Sequence, residues 1–576
     1  MKTVSISHYP DDEVSGVINK LHPLLQRIYK HRSIKSSTEL DNQLKYLLPY
    51  DGMLSIDKAV SEIVDAIVTD KIILIVGDFD ADGATSTAVA LRLLRLFGAK
   101  YSSYLVPNRF DFGYGLTVEL LRHTIDLKPD LIITVDNGIS SLQGVEFANE
   151  HGINVVVTDH HLAADQLPAA AAIVNPNQPD CSFSSKSIAG VGVIFYVMMA
   201  VRSSLREMNW FSNIRPEPNI AAVLDLVALG TVADVVALDR NNRILVEQGL
   251  KRIRSGNCCP GISALLNISG RKQETCVASD LGFSIGPRLN AAGRLEDMSL
   301  GIECLLSDDT EYCRQIAEQL HNLNIERRTI EAEMLDQALT DLDAFTQEIN
   351  TDDVPPALAI YKHNWHQGVI GILASRIKDR FHRPVVAFAK STDNELKGSA
   401  RSIKGFHIRD ALDLIDKSNP GLIIKFGGHA MAAGLTLKAD SFELFKNQFE
   451  IVANKILSKS DLQGIIYTDG ELEQSDFDLS LAELLRYAAP WGQGFPEPVF
   501  DNIFIVKEWR IVGDKHLKMK LQLLQGGDVF DAIAFNTTNE QLGQNTDKIH
   551  AVYKLDINEF RNNKSLQLMV EYLEPA

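Results

Sequence analysis

Short apolar runs that each stop at an acidic residue, an asparagine or a glycine constrain this chain more than any other feature. KIILIVGDFD (71–80), YSSYLVPN (101–108), DLIITVDNG (130–138), INVVVTDHH (153–161) and AAAIVNPN (170–177) succeed one another with helical sequence between them. The first continues into ADGATSTAVALRLLRLFG (81–98), which reads as a helix ending at Gly98. Valine- and isoleucine-rich runs of this length, alternating with helices, predict strands of a parallel sheet buried on both faces. The chain is therefore expected to be α/β over this region. In such a sheet the strands' carboxyl ends share one edge, where ligands bind.

That edge collects an unusual set of side chains. Asp78, Asp80 and Asp82 alternate directly after the first run, and three carboxylates so close repel unless a cation neutralises them. Oxygen-seeking divalent ions such as Mg²⁺ or Mn²⁺ suit them. An acidic calcium loop is the plainer alternative, but the EF-hand form needs flanking helices and a Glu at its twelfth position. Asp136 and Asn137 close the next long strand, and Asp159, His160 and His161 the one after. An isolated Asp in such a place is often only a helix cap; their shared edge argues for a common crevice. Asp234, inside the apolar ALGTVADVVAL, would be costly to bury unpaired and joins them as a candidate ligand.

Further along, residues 309–347 lack Gly and Pro and repeat apolar residues near helical spacing, predicting a long helix. TDDVPP breaks it, and a second α/β unit follows. Past residue 460, five strand-like segments separated by polar turns fit an oligonucleotide-binding (OB) type barrel or an unrelated sandwich. The expected organisation is a helical segment over 1–50, a sheet domain over 51–308, a connecting helix over 309–350, a second α/β domain over 351–458 and a barrel over 459–576.

The net charge of −18 argues at first against nucleic acid. It is unevenly spread: residues 361–430 hold 12 Lys/Arg against 6 Asp/Glu, a local +6 that leaves −24 elsewhere, part of it attributable to metal ligands. Six cysteines without a C-x-x-C pair suit a reducing cytosol rather than a disulfide or zinc framework. The amino terminus has no signal-peptide pattern, and the longest apolar stretch, 221–238, carries Asp225 and Asp234 and falls short of a lipid span. A cytoplasmic protein is expected.

DFDADG, VDNG, DHH and GTVAD, in this order, resemble the four motifs of the DHH phosphoesterase superfamily. GPRLNAAGR (286–294), HQGVIGILASR (366–376), GSARS (398–402) and GGHAMAAG (427–434) resemble motifs specific to the RecJ family of single-strand-specific 5′→3′ DNA exonucleases. The resemblance implies two Mn²⁺ or Mg²⁺ ions held by Asp80, Asp82, Asp136, His160 and Asp234, with Asp136 bridging and Asp78 in an alternate or supporting ligand position. Asp136, His160 and His161 become the catalytic group, His161 also touching phosphate. Arg109, Arg288, Asn290, Arg294, His366, Arg376, Ser399, Arg401, Gly428 and His429 are the expected DNA and phosphate contacts. Arginine suits this role because its planar fork binds phosphate oxygens bidentately. Phe110, Phe112 and Tyr114, and Trp509, Lys518 and Lys520 of the barrel, are weaker candidates for DNA contact, as most such residues serve a core or a solvated face.

The implied function is removal of 5′-mononucleotides from single-stranded DNA in repair and recombination, by a monomer that uses no membrane. A single-strand-binding protein and a RecQ-type helicase are the implied partners. Two other readings remain: a DHH phosphodiesterase acting on short oligonucleotides or cyclic dinucleotides, whose architecture would lack the barrel and long helix, and a non-catalytic replication scaffold, which would have lost metal ligands.

Overall fold

The computed structural model describes all residues except 1–3, 11–19, 108–114, 164–165, 349–353, 364, 366, 369, 393, 429, 514–515, 538–546 and 561–562, and only the backbone of 334–348, 392 and 560. The chain divides into two compact units, Pro10–Ile325 with Asp469–Ala576, and Met1–Tyr9 with Glu326–Thr468.

In the first unit the predicted runs form one parallel sheet, ordered Tyr101–Leu105, Ile72–Val76, Leu131–Val135, Asn154–Thr158, Ala172–Val174. Every residue of Leu131–Val135 is buried, as expected of a strand covered on both faces. The helix Ala81–Phe97 starts on the Asp80 side chain and stops at Gly98, whose φ of 98° is a left-handed conformation that glycine adopts without a Cβ penalty.

The carboxy-terminal strands Phe500–Val512, His516–Leu523, Val529–Ala534, Lys548–Phe560 and Asn563–Pro575 close into a barrel, which decides between barrel and sandwich. Phe500–Val512 pairs with strands on both sides, and Val529–Ala534 meets Asn563–Pro575 in parallel, so no edge is left open. Its apolar interior is continuous with the core of the sheet region. Buried Asp469 ties this region to the helix Pro23–His31, accepting hydrogen bonds from His31 (2.8 Å) and both terminal nitrogens of Arg32 (2.9 Å each).

The second unit contains a five-stranded sheet ordered Ile423–Gly428, Ala432–Lys438, Glu395–Arg401, Val385–Thr392, Leu358–Tyr361, antiparallel except for its last pair. The long helix spans Thr310–Glu348. The amino-terminal segment departs from the helical expectation. Val4–His8 is a strand paired in parallel with Gly464–Thr468, because VSISH alternates apolar and polar residues at the period of a strand and finds its partner some 460 positions away. No described helix is long and apolar enough to cross a membrane.

Candidate metal centre and nucleic-acid contacts

Asp78, two residues past the strand Ile72–Val76, is buried with its Oδ1 accepting from the Phe79 N–H at 2.7 Å. Asp80 caps the following helix, its Oδ1 accepting from the Gly83 N–H at 3.0 Å. The loop folds back so closely that a Cβ at position 83 would lie 2.4 Å from the Asp78 carbonyl oxygen, so only glycine fits. Asp82 points inward: its oxygens accept from the N–H groups of Gly190 (2.7 Å) and Val191 (3.0 Å) at the start of the helix Gly190–Glu207. That helix end favours negative charge.

Asp136 follows Leu131–Val135 with φ 64°, a left-handed conformation that Asp tolerates better than most residues. Its N–H is held by the Thr158 carbonyl at 3.0 Å, and a Cβ on Gly190 would come within 2.6 Å of its Oδ1. His160 places Nε2 3.1 Å from Asp136 Oδ1 and 3.5 Å from Asp234 Oδ2. Asp234 ends the helix Leu224–Ala233. The next residue, Val235, has φ 60°, which is costly for a β-branched side chain. Strained backbone thus accompanies two of the acids, a pattern that clusters at functional sites.

The electrostatics of this cluster demand a cation. Burial, reinforced by Asp80, pushes the carboxyls of both Asp78 and Asp82 up to about 7. Burial followed by the charges of Asp82 and Asp80 raises Asp136 and Asp234 well above the usual carboxylate range. Carboxylates in this state take up protons or a metal ion. Three groups have one ligand atom per residue all within 4.8 Å of each other: Asp78, Asp80 and Asp136; Asp82, His160 and Asp234; Asp136, His160 and His161. Carboxylate oxygens with one or two imidazoles fit Mn²⁺ or Mg²⁺ better than a soft thiophilic metal.

His161 is set apart from its neighbour. Its Nδ1 lies 2.8 Å from Asp159 Oδ1. Burial alone would lower its pKa, but the Asp159 hydrogen bond and charge, with Asp234 and Asp78 beyond, outweigh that and raise it to about 9. Asp159 itself is held below its ordinary value, the His161 bond overcoming the opposing effect of burial.

Comparison with known proteins agrees with this geometry. Residues 72–231 match the DHH family N-terminal domain, 355–455 the DHHA1 domain and 468–572 the RecJ OB domain. The chain is 52% identical to the single-stranded-DNA-specific exonuclease RecJ of Dickeya dadantii, over 97% of each chain, and 51% identical to that of Escherichia coli, over 98% of each. The chain belongs to the RecJ family. The RecJ of Thermus thermophilus in complex with Mn²⁺ superposes with a TM-score of 0.75 at 28% identity, covering 96% of this chain and 76% of that one; its Mg²⁺ complex gives 0.71 at 27%, covering 96% and 75%.

Within this RecJ-family chain the expected DNA contacts divide between the units. The helix Gly286–Leu295 carries Arg288, Asn290 and Arg294 in the unit of the metal centre. Arg294 is exposed, whereas the Asn290 Oδ1 accepts from the Ala81 N–H at 2.7 Å and so braces the DFDADG loop. A Cβ on Gly293 would sit 1.9 Å from the Phe79 carbonyl oxygen, so this helix and that loop are in backbone contact. The oxygen of Asn290 thus supports the loop that carries Asp78 and Asp80.

In the second unit, Arg401 donates to Ser399 Oγ (3.2 Å) and the Ala400 carbonyl (2.8 Å), and a Cβ on Gly371 would come within 3.3 Å of both side chains. Gly428 ends its strand at φ 146°, where a Cβ would lie 2.4 Å from the Ala432 carbonyl oxygen. Arg376 is exposed on the helix Ile370–Phe381. Arg109, His366 and His429 lie outside the described residues, as do Phe110, Phe112 and Tyr114. In the barrel, Lys518 and Lys520 share the outward face of their strand, whereas Trp509 is exposed but pairs with inward, buried Met519. The three do not form one face, because a bulge between Val506 and Glu508 shifts the alternation.

The hold of Asp159 on His161, the close approach of Gly190 and the bracing by Asn290 escaped the sequence reading. A signal existed for Asp159, one residue before a histidine pair at a strand end. None existed for Gly190, whose missing Cβ matters only because Asp136 lies opposite.

Proposed function

We propose that this chain degrades single-stranded DNA from its 5′ end, hydrolysing phosphodiester bonds at a centre that holds two Mn²⁺ or Mg²⁺ ions and releasing 5′-mononucleotides. The observation that carries this reading is a chain of overlapping ligand groups. Asp78, Asp80 and Asp136 make one and Asp82, His160 and Asp234 another, and Asp136, His160 and His161 link them. Asp136 lies within 3.1 Å of His160 of the other group, so its carboxylate would be within reach of both sets of ligands. When bound, such ions polarise the scissile phosphate and supply a nucleophilic water at neutral pH.

The chain's own residues orient and bind. Asp159 holds His161 as an imidazolium whose Nε2–H is suited to donate to a phosphate oxygen. The Gly190 and Val191 amides fix Asp82, and Asn290 fixes the loop that carries Asp78 and Asp80. Arg109, Arg288, Ser399 and Arg401 grip the terminal 5′ phosphate and adjoining backbone, and Arg294, His366, Arg376, Gly428 and His429 add DNA contacts. Repair and recombination, a monomeric state and cooperation with a single-strand-binding protein and a RecQ-type helicase follow from the family resemblance.

The test uses 5′-labelled single- and double-stranded oligonucleotides with Mn²⁺. Labelled mononucleotide released first, and from the single strand alone, is the expected result. Preference for a blunt duplex, or label retained until the last cleavage, overturns the reading.

A further inference from the structure

The helix Gly286–Leu295 supplies no member of the ligand groups, yet it touches three of the points that hold them. Gly286, Asn290 and Gly293 stand at i, i+4 and i+7, which places them on one face of the helix. Each meets a ligand-bearing segment. A Cβ on Gly286 would lie 3.3 Å from the Cβ of Ala233, the residue before Asp234. The Asn290 Oδ1 accepts from the N–H of Ala81, which stands between Asp80 and Asp82. At Gly293 the helix backbone abuts the carbonyl of Phe79, between Asp78 and Asp80.

The two glycines set how close the helix comes; the hydrogen bond sets direction. A backbone amide donates and cannot accept, so the Asn290 atom facing it at 2.7 Å is the oxygen. Ala81 opens the helix Ala81–Phe97, and a first-turn N–H has no partner within its own helix. Asp80 takes the Gly83 amide of that turn, and Asn290 takes the Ala81 amide from outside.

The position of Ala81 gives this bond its reach. Asp80 groups with Asp78 and Asp136, whereas Asp82 groups with His160 and Asp234. Ala81 joins a ligand of one group to a ligand of the other, and Gly286 packs against the helix that ends at Asp234. Buried carboxylates repel one another until a cation binds, so their spacing has to be imposed from outside the cluster. One helix in contact with both groups imposes it on both.

We infer that the helix Gly286–Leu295 is a shared outer support of the two ligand groups, and that Asn290 is its positioning residue, acting through the Ala81 amide on both metal ions. This rests on the reading of the cluster as a two-metal centre.

The experiment compares full-length wild type with Asn290→Ala, Asn290→Asp and Asp136→Ala. Alanine removes the acceptor without weakening the helix, whereas aspartate keeps an acceptor oxygen at the same place. Mn²⁺ binding is titrated by calorimetry without DNA, electron paramagnetic resonance reports whether the bound ions form a spin-coupled pair, and melting curves are recorded in EDTA. Asn290→Leu, which also lacks the acceptor but fills the space, replaces Asn290→Ala if that variant is unfolded in EDTA.

Wild type is expected to bind a spin-coupled pair, and Asp136→Ala to lose it. Asn290→Ala should weaken both binding steps about 10–100-fold, the usual range for outer supports of a metal site, and lose the pair signal at Mn²⁺ concentrations that saturate wild type. Asn290→Asp should recover most of the affinity and the signal. Wild-type affinity without the acceptor, or a loss that aspartate does not recover, overturns the positioning role. Weakening of one step alone confines Asn290 to one ligand group and overturns the shared support. A wild type that binds no pair, or an Asp136→Ala variant that binds one normally, removes the two-metal reading whatever Asn290 does.

Discussion

The two five-stranded sheets of this molecule handle charge in opposite ways. The parallel sheet of the first unit keeps its inner strands largely apolar and gathers acids beyond one edge, where Asp78, Asp82 and Asp136 are buried. The mainly antiparallel sheet of the second unit places its polar residues within the strands, with Ser399 and Arg401 on a half-exposed face. Concentrated negative charge can be buried only if a cation or protons compensate it, so its position is dictated by neighbours on every side. A basic residue for phosphate keeps partial contact with water and needs less enclosure. Substitutions should therefore cost most, and for the narrowest geometric reasons, at the acidic edge.

The largest effect is expected at Asp136. Asp136→Ala should lower turnover by at least about a thousandfold, ~4 kcal/mol in barrier, while single-strand affinity measured without metal stays near wild type. Near-normal release of labelled mononucleotide would remove Asp136 from the centre. Chelation by EDTA should match this loss and Mn²⁺ should reverse it.

Gly190→Ala tests enclosure without replacing a candidate ligand. The added methyl would crowd Asp136 Oδ1, so Mn²⁺ affinity measured by calorimetry should fall about 10–100-fold, as it does when outer supports of a metal site are disturbed. Because alanine favours a helix more than glycine does, an unaltered melting temperature with weakened metal binding would separate crowding from unfolding. Full affinity would show that the acidic edge is more pliable than its close packing against Gly190 implies.

Asp159→Asn removes the charge that keeps His161 protonated. A loss of about 10–100-fold in kcat with KM little changed is expected. A change confined to KM would make His161 a simple binding group.

The smallest effect belongs to the basic sheet. Arg401→Ala should weaken binding of a 5′-phosphorylated strand about tenfold and lower the salt slope by about one, with less change for a strand ending in a 5′ hydroxyl. Equal loss for both strands would assign Arg401 to the internal backbone.

Much of the centre was legible in the chain because strand ends in a parallel sheet converge by topology. DFDADG, VDNG and DHH could meet nowhere else once their apolar runs were read as neighbouring strands. The five barrel strands were legible too, from alternation and polar turns. Less visible were roles that depend on a partner far away in sequence. Asn290 sits in a motif that resembles a phosphate-binding one, yet its oxygen serves the Ala81 amide. Trp509 looked equivalent to Lys518 and Lys520 until a bulge moved it to the other side of the sheet.

The sequence alone determined which residues are acidic, where most strands and helices fall, and that the candidate ligands of DFDADG, VDNG and DHH lie at one edge, because apolar periodicity and strand-end chemistry are local properties. Only the tertiary structure decided that the barrel closes, that Val4–His8 pairs with Gly464–Thr468, that Asp82 is held by the first amides of a helix 108 positions away, and that Asn290 accepts from the Ala81 N–H. Those outcomes depend on backbone groups and missing Cβ atoms approaching within about 3 Å across the core, distances that no pattern along the chain encodes.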